Sequence, residues 1–213
     1  MEDLSIVIVN YKTWENLSLC LESILKQSEI DIKVIVVDNN SKDKQISFFK
    51  QKYDWVHWIE NSQNFGFAKA CNIGASFIKS KWSLFLNPDT ILESNSMSSL
   101  IKYCDINSEH RIIGIKQFDQ NKNHTNSFGI FLNFWSLSGI MRYLIRIIKG
   151  SYRSMNLKEI AHPDWISGSF VLIRKKDFNF LNGWDENYWM YYEDMDLCKR
   201  AEKFNLKVFF LNN

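Results

Sequence analysis

The sequence lacks a strong excess of either charge. Lysine and arginine number 26 against 24 aspartate and glutamate residues, so the formal net charge is only +2. A protein that binds nucleic acid usually presents a strongly basic surface to the phosphate backbone. The near balance of charge therefore predicts that nucleic acid is not a partner.

Paired cysteines, a secretion signal and long apolar runs are also missing. The four cysteines are far apart, without CxxC or metal-ligand spacing, as expected for reduced, buried thiols of a cytoplasmic protein. The start of the chain, Met1 to Leu4, is acidic where a signal peptide would be basic. No apolar run reaches the length that spans a membrane. Together these absences predict a cytoplasmic protein that is not exported.

Repeats and low-complexity segments are absent as well, and 213 residues with 46% hydrophobic content suit one substantial domain. The first half alternates strand and helix patterns. The predicted strands cover Leu4 to Val9, Lys33 to Val37, His57 to Glu60 and Trp82 to Leu86. Helical patterns fall between them, over Thr13 to Leu25, Lys42 to Lys52 and Phe67 to Ile78. In the first of these, Thr13 can cap the helix, and an apolar stripe recurs at helical spacing: Leu17, Cys20, Leu21, Ile24 and Leu25. This βα alternation predicts an α/β fold whose mostly parallel sheet is flanked by helices.

Polar residues follow three of these strands. They form the clusters Asn10-Tyr11, Asp38 to Ser41, and Asn87 to Thr90. Any one of them is more often a turn than a site, because Asn and Asp shape turns and cap helices. In an open parallel sheet, however, ligands bind beyond the carboxyl ends of the strands. Three clusters at one edge therefore indicate a ligand site.

Two of the loops have chemistry suited to a nucleotide. Asp38 can accept hydrogen bonds from N3–H of uracil or thymine or from a ribose, or it can cap the following helix. The turn Asn64 to Ala68 combines Gly66 with two rings, and it opens a helix whose free N–H groups can face phosphate. A buried loop–helix junction is an equally good interpretation of that turn.

Asn87-Pro88-Asp89 suits a divalent cation bound to a diphosphate. Such a cation takes a few hard oxygen ligands from the protein and the rest from phosphate and water. Asp89, held beside a rigid proline, can be the protein ligand, and Asn87 offers an amide for a ribose or a water molecule. The alternative is a structural Asn-Pro-Asp-Thr turn that leads into a helix.

A late segment, Gly183 to Asp196, is rich in both carboxylates and aromatic rings. Attack by a sugar hydroxyl needs a base, and a partly desolvated carboxylate is the usual choice. Acids in the first turn of a helix also stabilise its dipole, which we favour for Glu193 and Asp196. For Asp194 we favour the role of the base, because of the family resemblance that follows.

These motifs, taken in order, resemble glycosyltransferase family 2, particularly its rhamnosyltransferase-like members. They are Ser5 to Tyr11, Val36 to Ser41, Asn64 to Ala68 with Asn72 to Gly74, Leu86 to Asp89, and Gly183 to Arg200. The first two are only moderately specific. The combination of Asn-Pro-Asp, a variant of the metal-binding DxD motif, with Glu-Asp-Met-Asp-Leu-Cys-Lys-Arg is highly specific.

The resemblance implies a single GT-A domain over residues 1–213, with a nucleotide-sugar-binding half at 1–105 and an acceptor-binding half at 106–213. It implies inverting transfer from a UDP- or dTDP-linked sugar to a hydroxyl of a saccharide or lipid-linked saccharide, in surface polysaccharide synthesis. Asp194 would be the catalytic base, and Asp89 would hold Mg²⁺ or Mn²⁺. The donor-binding positions would be Asn10, Tyr11, Asp38, Asn64, Phe67, Asn87 and Gly168.

Two positions depart from the family pattern. Asn87 stands where many relatives have aspartate. Relatives also carry a metal-binding histidine just beyond the strand that corresponds to Lys207 to Leu211, and this chain ends at Asn213. We expect either a truncated piece or an incomplete metal site, so an inactive GT-A-like binding module stays open. A nucleotidyltransferase or dehydrogenase is disfavoured, because the loop after the first strand lacks their glycines.

The middle of the chain contains a basic amphipathic pattern. Its apolar stripe comprises Leu137, Ile140, Met141, Leu144, Ile145 and Ile148. Arg142, Arg146 and Lys149 lie off the stripe. Such a helix can lie at an anionic membrane surface, which would place the protein at the cytoplasmic face of the inner membrane. The alternative is a helix packed on the acceptor half with its arginines in water.

Overall fold

A computed structural model describes residues 2–125, 127–131 and 159–212. The strands within these ranges are β1 (Leu4–Asn10), β2 (Ile32–Asp38), β3 (His57–Glu60), β4 (Trp82–Leu86), β5 (Ile112–Ile115), β6 (Phe128–Gly129), β7 (Ile160–Ala161), β8 (Trp165–Ile166), β9 (Phe170–Arg174) and β10 (Val208–Leu211). The helices are α1 (Trp14–Leu25), α2 (Gln45–Lys52), α3 (Phe67–Ala75), α4 (Ser96–Ile106), α5 (Lys175–Phe180) and α6 (Glu193–Lys203). The predicted amphipathic pattern over 137–149 lies outside the described residues.

The main sheet has the order β3-β2-β1-β4-β9-β5-β10-β7. Strands β3, β2, β1 and β4 run parallel to one another, and β10 runs parallel to β5. Strand β9 is antiparallel to both of its neighbours, and β7 is antiparallel to β10 at the edge. The prediction of a mostly parallel α/β sheet with helices on its faces is confirmed.

Strand β1 is buried on both faces of the sheet, between two hydrophobic cores. All seven of its residues are buried. Alternate side chains of a strand point to opposite faces, so a strand covered on both sides must be apolar on both. Leu4, Ile6 and Ile8 pack into one core, and Val7 and Val9 pack into the other. Helices α1 and α4 contribute to the first core, whereas α3 and α6 contribute to the second.

Helix α1 differs from its prediction at both ends. Thr13 occupies the N-cap position, but its hydroxyl donates to Asn10 Oδ1 at 2.9 Å and makes no cap hydrogen bond. Leu25, expected in the apolar stripe, is 58% exposed. The other predicted stripe residues are buried: Leu17, Cys20, Leu21 and Ile24. The predicted helix face is therefore confirmed, and the predicted cap is wrong.

Two other helices are shorter than their patterns indicate. Helix α2 begins at Gln45 rather than Lys42, because the Gln45 amide donates to Asp43 Oδ1 at 3.0 Å in a local turn. Helix α3 ends at Ala75 rather than Ile78, because the last amides bond carbonyls three residues back. The sequence predicts strand character from Trp165 to Ile173, and this stretch divides into β8 and β9, which belong to different sheets.

All four cysteines are unpaired and buried, as the sequence predicts. Burial raises the pKa of Cys20, Cys104 and Cys198 to about 12, so these thiols stay protonated at neutral pH. Among the described helices, none has the length and apolar character needed to cross a bilayer.

Candidate active site

The predicted polar clusters lie at one edge of the sheet. Asn10 at the end of β1 is in register with Asp38 at the end of β2, and Ile8 is in register with Leu86 at the end of β4. A cavity of about 640 Å³ opens at this edge. Five predicted site residues line it: Phe67, Asn87, Asp89, Gly168 and Asp194. The other four predicted positions, Asn10, Tyr11, Asp38 and Asn64, are outside its lining.

Asp194 lies in the first turn of α6, where two backbone amides bind its carboxylate. Oδ2 accepts a hydrogen bond from the Gly168 amide at 2.8 Å, and Oδ1 accepts one from the Met195 amide at 2.7 Å. Burial raises the pKa of Asp194, and these N–H donors partly oppose that shift. The result is an oriented carboxylate that binds a proton more tightly than an ordinary aspartate does.

Gly168 lies in the turn between β8 and β9, at the cavity wall. The Ser167 amide donates to the Ser127 carbonyl at 2.8 Å, and the Asn87 amide donates to the Ser169 carbonyl at 3.0 Å. A Cβ added at Gly168 would lie 3.7 Å from Asp194 Cβ and Oδ2, an ordinary contact. There is therefore room for a small side chain at position 168, and the contribution of Gly168 is the backbone amide that binds Asp194.

Glu193 is buried next to Asp194 and also lines the cavity. Its Oε2 has no hydrogen-bond partner among the described residues. Burial, followed by the negative charge of Asp194, raises the pKa of Glu193, while its own backbone N–H lowers it. Asp196 instead forms an ion pair with Arg200 Nε at 2.7 Å along the helix. Of these three acids, Glu193 and Asp194 line the cavity and Asp196 does not.

Asp89 follows β4 and is exposed at the cavity. Within the described part of the chain, no side chain bonds to its carboxylate. Asn87 is held through its backbone, whose N–H donates to Ser169 and whose carbonyl accepts from the Thr90 amide at 3.2 Å. Helix α4 begins only at Ser96, so the predicted Asn-Pro-Asp-Thr turn does not lead directly into a helix.

The residues present allow a divalent cation with few protein ligands. Among residues 2–125, 127–131 and 159–212, no group of three or more His, Cys, Asp or Glu side chains is arranged around a metal position. Asp89 offers a hard, unpaired carboxylate, which fits a cation that takes its other ligands from diphosphate and water. The described residues do not fit a cation held by protein ligands alone.

Asp38 is buried and bonded on both carboxylate oxygens. Oδ1 accepts from Asn10 Nδ2 at 2.9 Å and from the Ser41 hydroxyl, and Oδ2 accepts from the Ser41 amide at 3.0 Å. Because α2 begins at Gln45, Asp38 does not cap that helix, and the capping alternative is wrong. The side chain fastens β1 to the loop after β2, and its contact with a base stays a prediction.

Asn64 and Tyr11 make local contacts outside the cavity lining. Asn64 Oδ1 accepts from the Gly66 amide at 2.9 Å and from Asn39 Nδ2 at 2.8 Å. Tyr11 is 44% exposed, with Lys12 Nζ 5.4 Å from its ring centre. Asn64 thus shapes the turn before α3, and the partly exposed Tyr11 ring has the Lys12 ammonium near its face.

The segment before α6, which we call the aromatic loop (Trp189–Tyr192), closes one side of the cavity. The Trp189 carbonyl accepts from the Phe67 amide at 2.9 Å. Gly66 makes this contact possible, because its φ is 81° and an added Cβ would lie 2.5 Å from the Trp189 oxygen. The glycine that the sequence marks as permissive is thus required by conformation and by space.

Asn72 is a positioning residue whose role the sequence does not reveal. Its Oδ1 accepts from the Trp184 amide at 2.9 Å, and its Nδ2 donates to the Trp184 carbonyl at 2.8 Å. Nδ2 also reaches Glu186 Oε1 at 3.1 Å. These bonds tie α3 to the segment that leads into the aromatic loop. The bonded residues are more than 100 positions apart in the sequence, so local sequence patterns do not predict the contact. The one signal in the sequence is that both residues belong to motifs that resemble the family.

The sequence matches two protein families. Residues 5–179 match the family described as Glycosyl transferase family 2. Residues 154–213 match the family described as the N-terminal domain of galactosyltransferase. The first match includes most of the cavity-lining loops, and the second includes the turn with Gly168 and helix α6.

Two curated relatives match this chain over nearly its whole length. Rhamnosyltransferase WbbL of Escherichia coli K12 is 28% identical over 216 residues, which cover 97% of this chain and 79% of the relative. The N-acetylglucosaminyl-diphospho-decaprenol L-rhamnosyltransferase of Mycobacterium tuberculosis is 24% identical over 223 residues, covering 94% of this chain and 70% of the relative. The likeness runs through nearly the whole sequence.

The fold matches that of a solved structure, Staphylococcus aureus TarS 1-349 in complex with UDP. The TM-score is 0.70 at 13% identity, covering 99% of this chain. The chain spans 58% of the length of that protein. At this identity the likeness establishes the GT-A architecture alone. With the family match over residues 5–179, it shows that the chain belongs to glycosyl transferase family 2.

Proposed function

We propose that this chain is an inverting glycosyltransferase that moves a sugar from a UDP- or dTDP-linked donor to a hydroxyl of a saccharide acceptor in polysaccharide synthesis. The observation that carries the proposal is one cavity lined by both Asp194 and Asp89. One carboxylate is oriented and partly buried, and the other is exposed and unpaired among the described residues. This division of environment suits two different roles.

The oriented carboxylate suits proton removal. Asp194 takes the proton from the acceptor hydroxyl as that oxygen attacks the anomeric carbon of the donor sugar. The bond between this carbon and the diphosphate oxygen breaks, and the diphosphate leaves with the electron pair. Attack from the face opposite the leaving group inverts the anomeric configuration. The raised pKa of Asp194 makes it a stronger base than an ordinary aspartate.

The exposed carboxylate suits a role at the diphosphate. Asp89 would hold Mg²⁺ or Mn²⁺, and a bound cation would offset the charge that grows on the leaving diphosphate. Asn87, Phe67 and Gly168 line the cavity beside it and would contact the donor. Asn10, Tyr11, Asp38 and Asn64 would act from the surrounding loops, where Asp38 and Asn64 maintain the loop geometry.

The relatives support a narrower proposal for both substrates. WbbL is named as a rhamnosyltransferase, and the mycobacterial relative is named for rhamnosyl transfer to a decaprenol diphosphate acceptor. We therefore favour a deoxyhexosyl or hexosyl donor and a lipid-linked saccharide acceptor. A lipid-linked acceptor would bring the protein to a membrane surface.

A donor screen tests the proposal. The full chain is incubated with UDP-, dTDP- and GDP-sugars, with and without Mn²⁺, and release of each nucleotide is measured. We expect release of UDP or dTDP that depends on Mn²⁺ and increases with a saccharide acceptor. Calorimetry with the free nucleotides measures binding alongside: if a nucleotide binds and no donor turns over, the inactive binding module becomes the better interpretation. If no nucleotide binds, both are wrong.

A further inference from the structure

The aromatic loop carries apolar side chains that the rest of the described protein leaves uncovered. Trp189, Met190, Tyr191 and Tyr192 are 58%, 54%, 72% and 65% exposed. Among the described residues, no ring packs against the three aromatic ones. Neighbouring Trp184 is 1% exposed, so this segment does not expose its rings for lack of a nearby core. A cluster of exposed apolar side chains in a cavity wall usually marks a binding surface.

The backbone of the loop is strained where the two tyrosines lie. Tyr191 and Tyr192 have φ values of 70° and 69°, in the left-handed region. Two successive bulky residues rarely adopt this conformation, in which glycine or asparagine would be less strained. Strain that persists in a structure tends to occur at functional sites, where the shape itself is used.

The loop is held at both ends. Its first carbonyl, that of Trp189, accepts from the Phe67 amide, and its last, that of Tyr192, accepts from the Asp196 amide at 2.9 Å. The rings are therefore presented on a fixed backbone between α3 and α6. A preformed surface loses less conformational entropy on binding than a flexible one does.

The chemistry of the surroundings suits a sugar. Met190, Tyr191 and Tyr192 line the same cavity as Asp194, together with the polar side chains of Thr13 and Asn16. The C–H bonds on one face of a pyranose ring meet the negative face of an aromatic ring favourably, while its hydroxyl groups bond polar neighbours. A purely apolar ligand would offer these polar groups no hydrogen bond.

We propose that Tyr191 and Tyr192, with Met190 beside them, form the platform on which the acceptor pyranose stacks, so that one of its hydroxyls reaches Asp194. This inference rests on the proposed function, because it identifies the acceptor position in the same cavity. The acceptor class is a saccharide whose terminal ring has an apolar C–H face. Tyr191 and Tyr192 are then specificity-determining residues.

Saturation-transfer NMR on the full chain tests the platform directly. The probes are the methyl pyranosides of glucose, N-acetylglucosamine and rhamnose, and the control is sorbitol, which has hydroxyl groups but no ring face. With UDP or dTDP and Mn²⁺ present, we expect saturation of ring C–H protons in at least one pyranoside and none in sorbitol. The wild-type protein should thus distinguish cyclic from acyclic polyols.

Variants then locate the binding. Tyr191→Ala and Tyr192→Ala should each weaken pyranoside binding at least tenfold, and Tyr191→Phe should retain it because the ring remains. Phe48→Ala removes a ring that is 61% exposed on α2 and should change nothing. Tyr191→Gly relieves the left-handed strain, so it should unfold at a temperature no lower than wild type and still lose binding. A purely structural role predicts unchanged binding in that variant.

The outcomes separate this inference from the function on which it depends. Nucleotide binding without binding of any pyranoside would overturn the platform and leave the transferase proposal intact. Equal pyranoside binding by Tyr191→Ala, Tyr192→Ala and wild type would also overturn it. Pyranoside binding that the tyrosine variants lose, in a protein that binds no nucleotide, would support the platform and contradict the donor.

Discussion

At Asp194, burial and hydrogen bonding act in opposite directions on one carboxylate. Burial raises its pKa, and the Gly168 and Met195 amides lower it, with burial the larger effect. The amides fix the direction in which the carboxylate points, and burial increases its affinity for a proton. A general base needs both properties, since geometry and pKa each limit proton transfer.

The raised pKa predicts the pH dependence of the reaction. As pH falls through the raised value, Asp194 becomes protonated and cannot accept the acceptor's proton. We expect kcat/KM to decline on the acidic side with an apparent pKa above 3.8, the ordinary value for aspartate. Initial rates from pH 4 to pH 9 with one active donor measure it. Constant kcat/KM down to pH 4 would contradict this prediction.

The same shift has a consequence for stability. A carboxylate whose pKa is raised by folding stabilises the folded state below its unfolded pKa, and this contribution is lost as pH rises through the folded pKa. Ionised Asp194 therefore costs stability at neutral pH. We expect Asp194→Asn to unfold at a temperature no lower than wild type at pH 7, measured by thermal denaturation. A clear loss of stability in this variant would mean that its two amide contacts dominate.

For Asp89 we predict no effect on stability, because its carboxylate has no bonded side-chain partner in the described part of the chain. Asp89→Ala should leave the thermal midpoint unchanged, since an exposed, unpaired carboxylate contributes little to folding. Calorimetry with UDP or dTDP should show affinity that increases with Mn²⁺ in wild type and not in the variant. Glu93→Ala, another acid of the same loop, is the control and should behave like wild type. Equal nucleotide affinity in EDTA would refute the metal assignment.

Among the structural elements, the turns around the cavity decide where the chemistry occurs. Gly66 and Gly168 both lie in such turns, but for different reasons. Gly66 has φ of 81°, and an added Cβ would lie 2.5 Å from a backbone oxygen. Gly168 would place a Cβ at ordinary contact distance, 3.7 Å, from Asp194. The sequence marks both glycines, and only the structure separates their roles.

These two glycines form a matched pair for experiment. Gly66→Ala should lower the free energy of unfolding by about 1–3 kcal/mol, because alanine is strained at positive φ and meets the Trp189 carbonyl. Gly168→Ala should change it by less than about 0.5 kcal/mol. Urea denaturation of both variants measures the difference. Equal stability of the two variants would show that the aromatic loop shifts at no measurable cost to make room for a Cβ at position 66.

Element positions were predictable where local chemistry decides them. The four parallel strands β1 to β4 are short apolar runs bounded by polar turns, and each lies within one or two residues of its prediction. Strand β9 was not separable from β8 by pattern, because the Ser167 and Gly168 amides bond to distant partners, Ser127 and Asp194. Helix starts moved where a local side chain, such as Asp43, accepted an amide first.

Across the whole molecule, the sequence predicted which residues lie close together but not which contacts each of them makes. Three strand-end clusters do meet at one edge, since parallel strands in register must bring their ends together. The inward bonding of Asp38 and the long-range contacts of Asn72 were not predictable, because both depend on partners distant in sequence. The antiparallel strand β9 between β4 and β5 likewise depends on the complete sheet.

Whether Asp194 is the base of a glycosyl transfer can be decided by one rate comparison. With a donor that the wild-type protein turns over, kcat is measured for wild type, Asp194→Asn and Asp196→Asn, with nucleotide affinity measured alongside. We expect Asp194→Asn to lose about a hundredfold or more in kcat with nucleotide affinity unchanged. Asp196→Asn, two positions along the same helix, should stay within about threefold of wild type, since loss of an i,i+4 ion pair costs little. Turnover at the wild-type rate in Asp194→Asn would show that Asp194 is not the base.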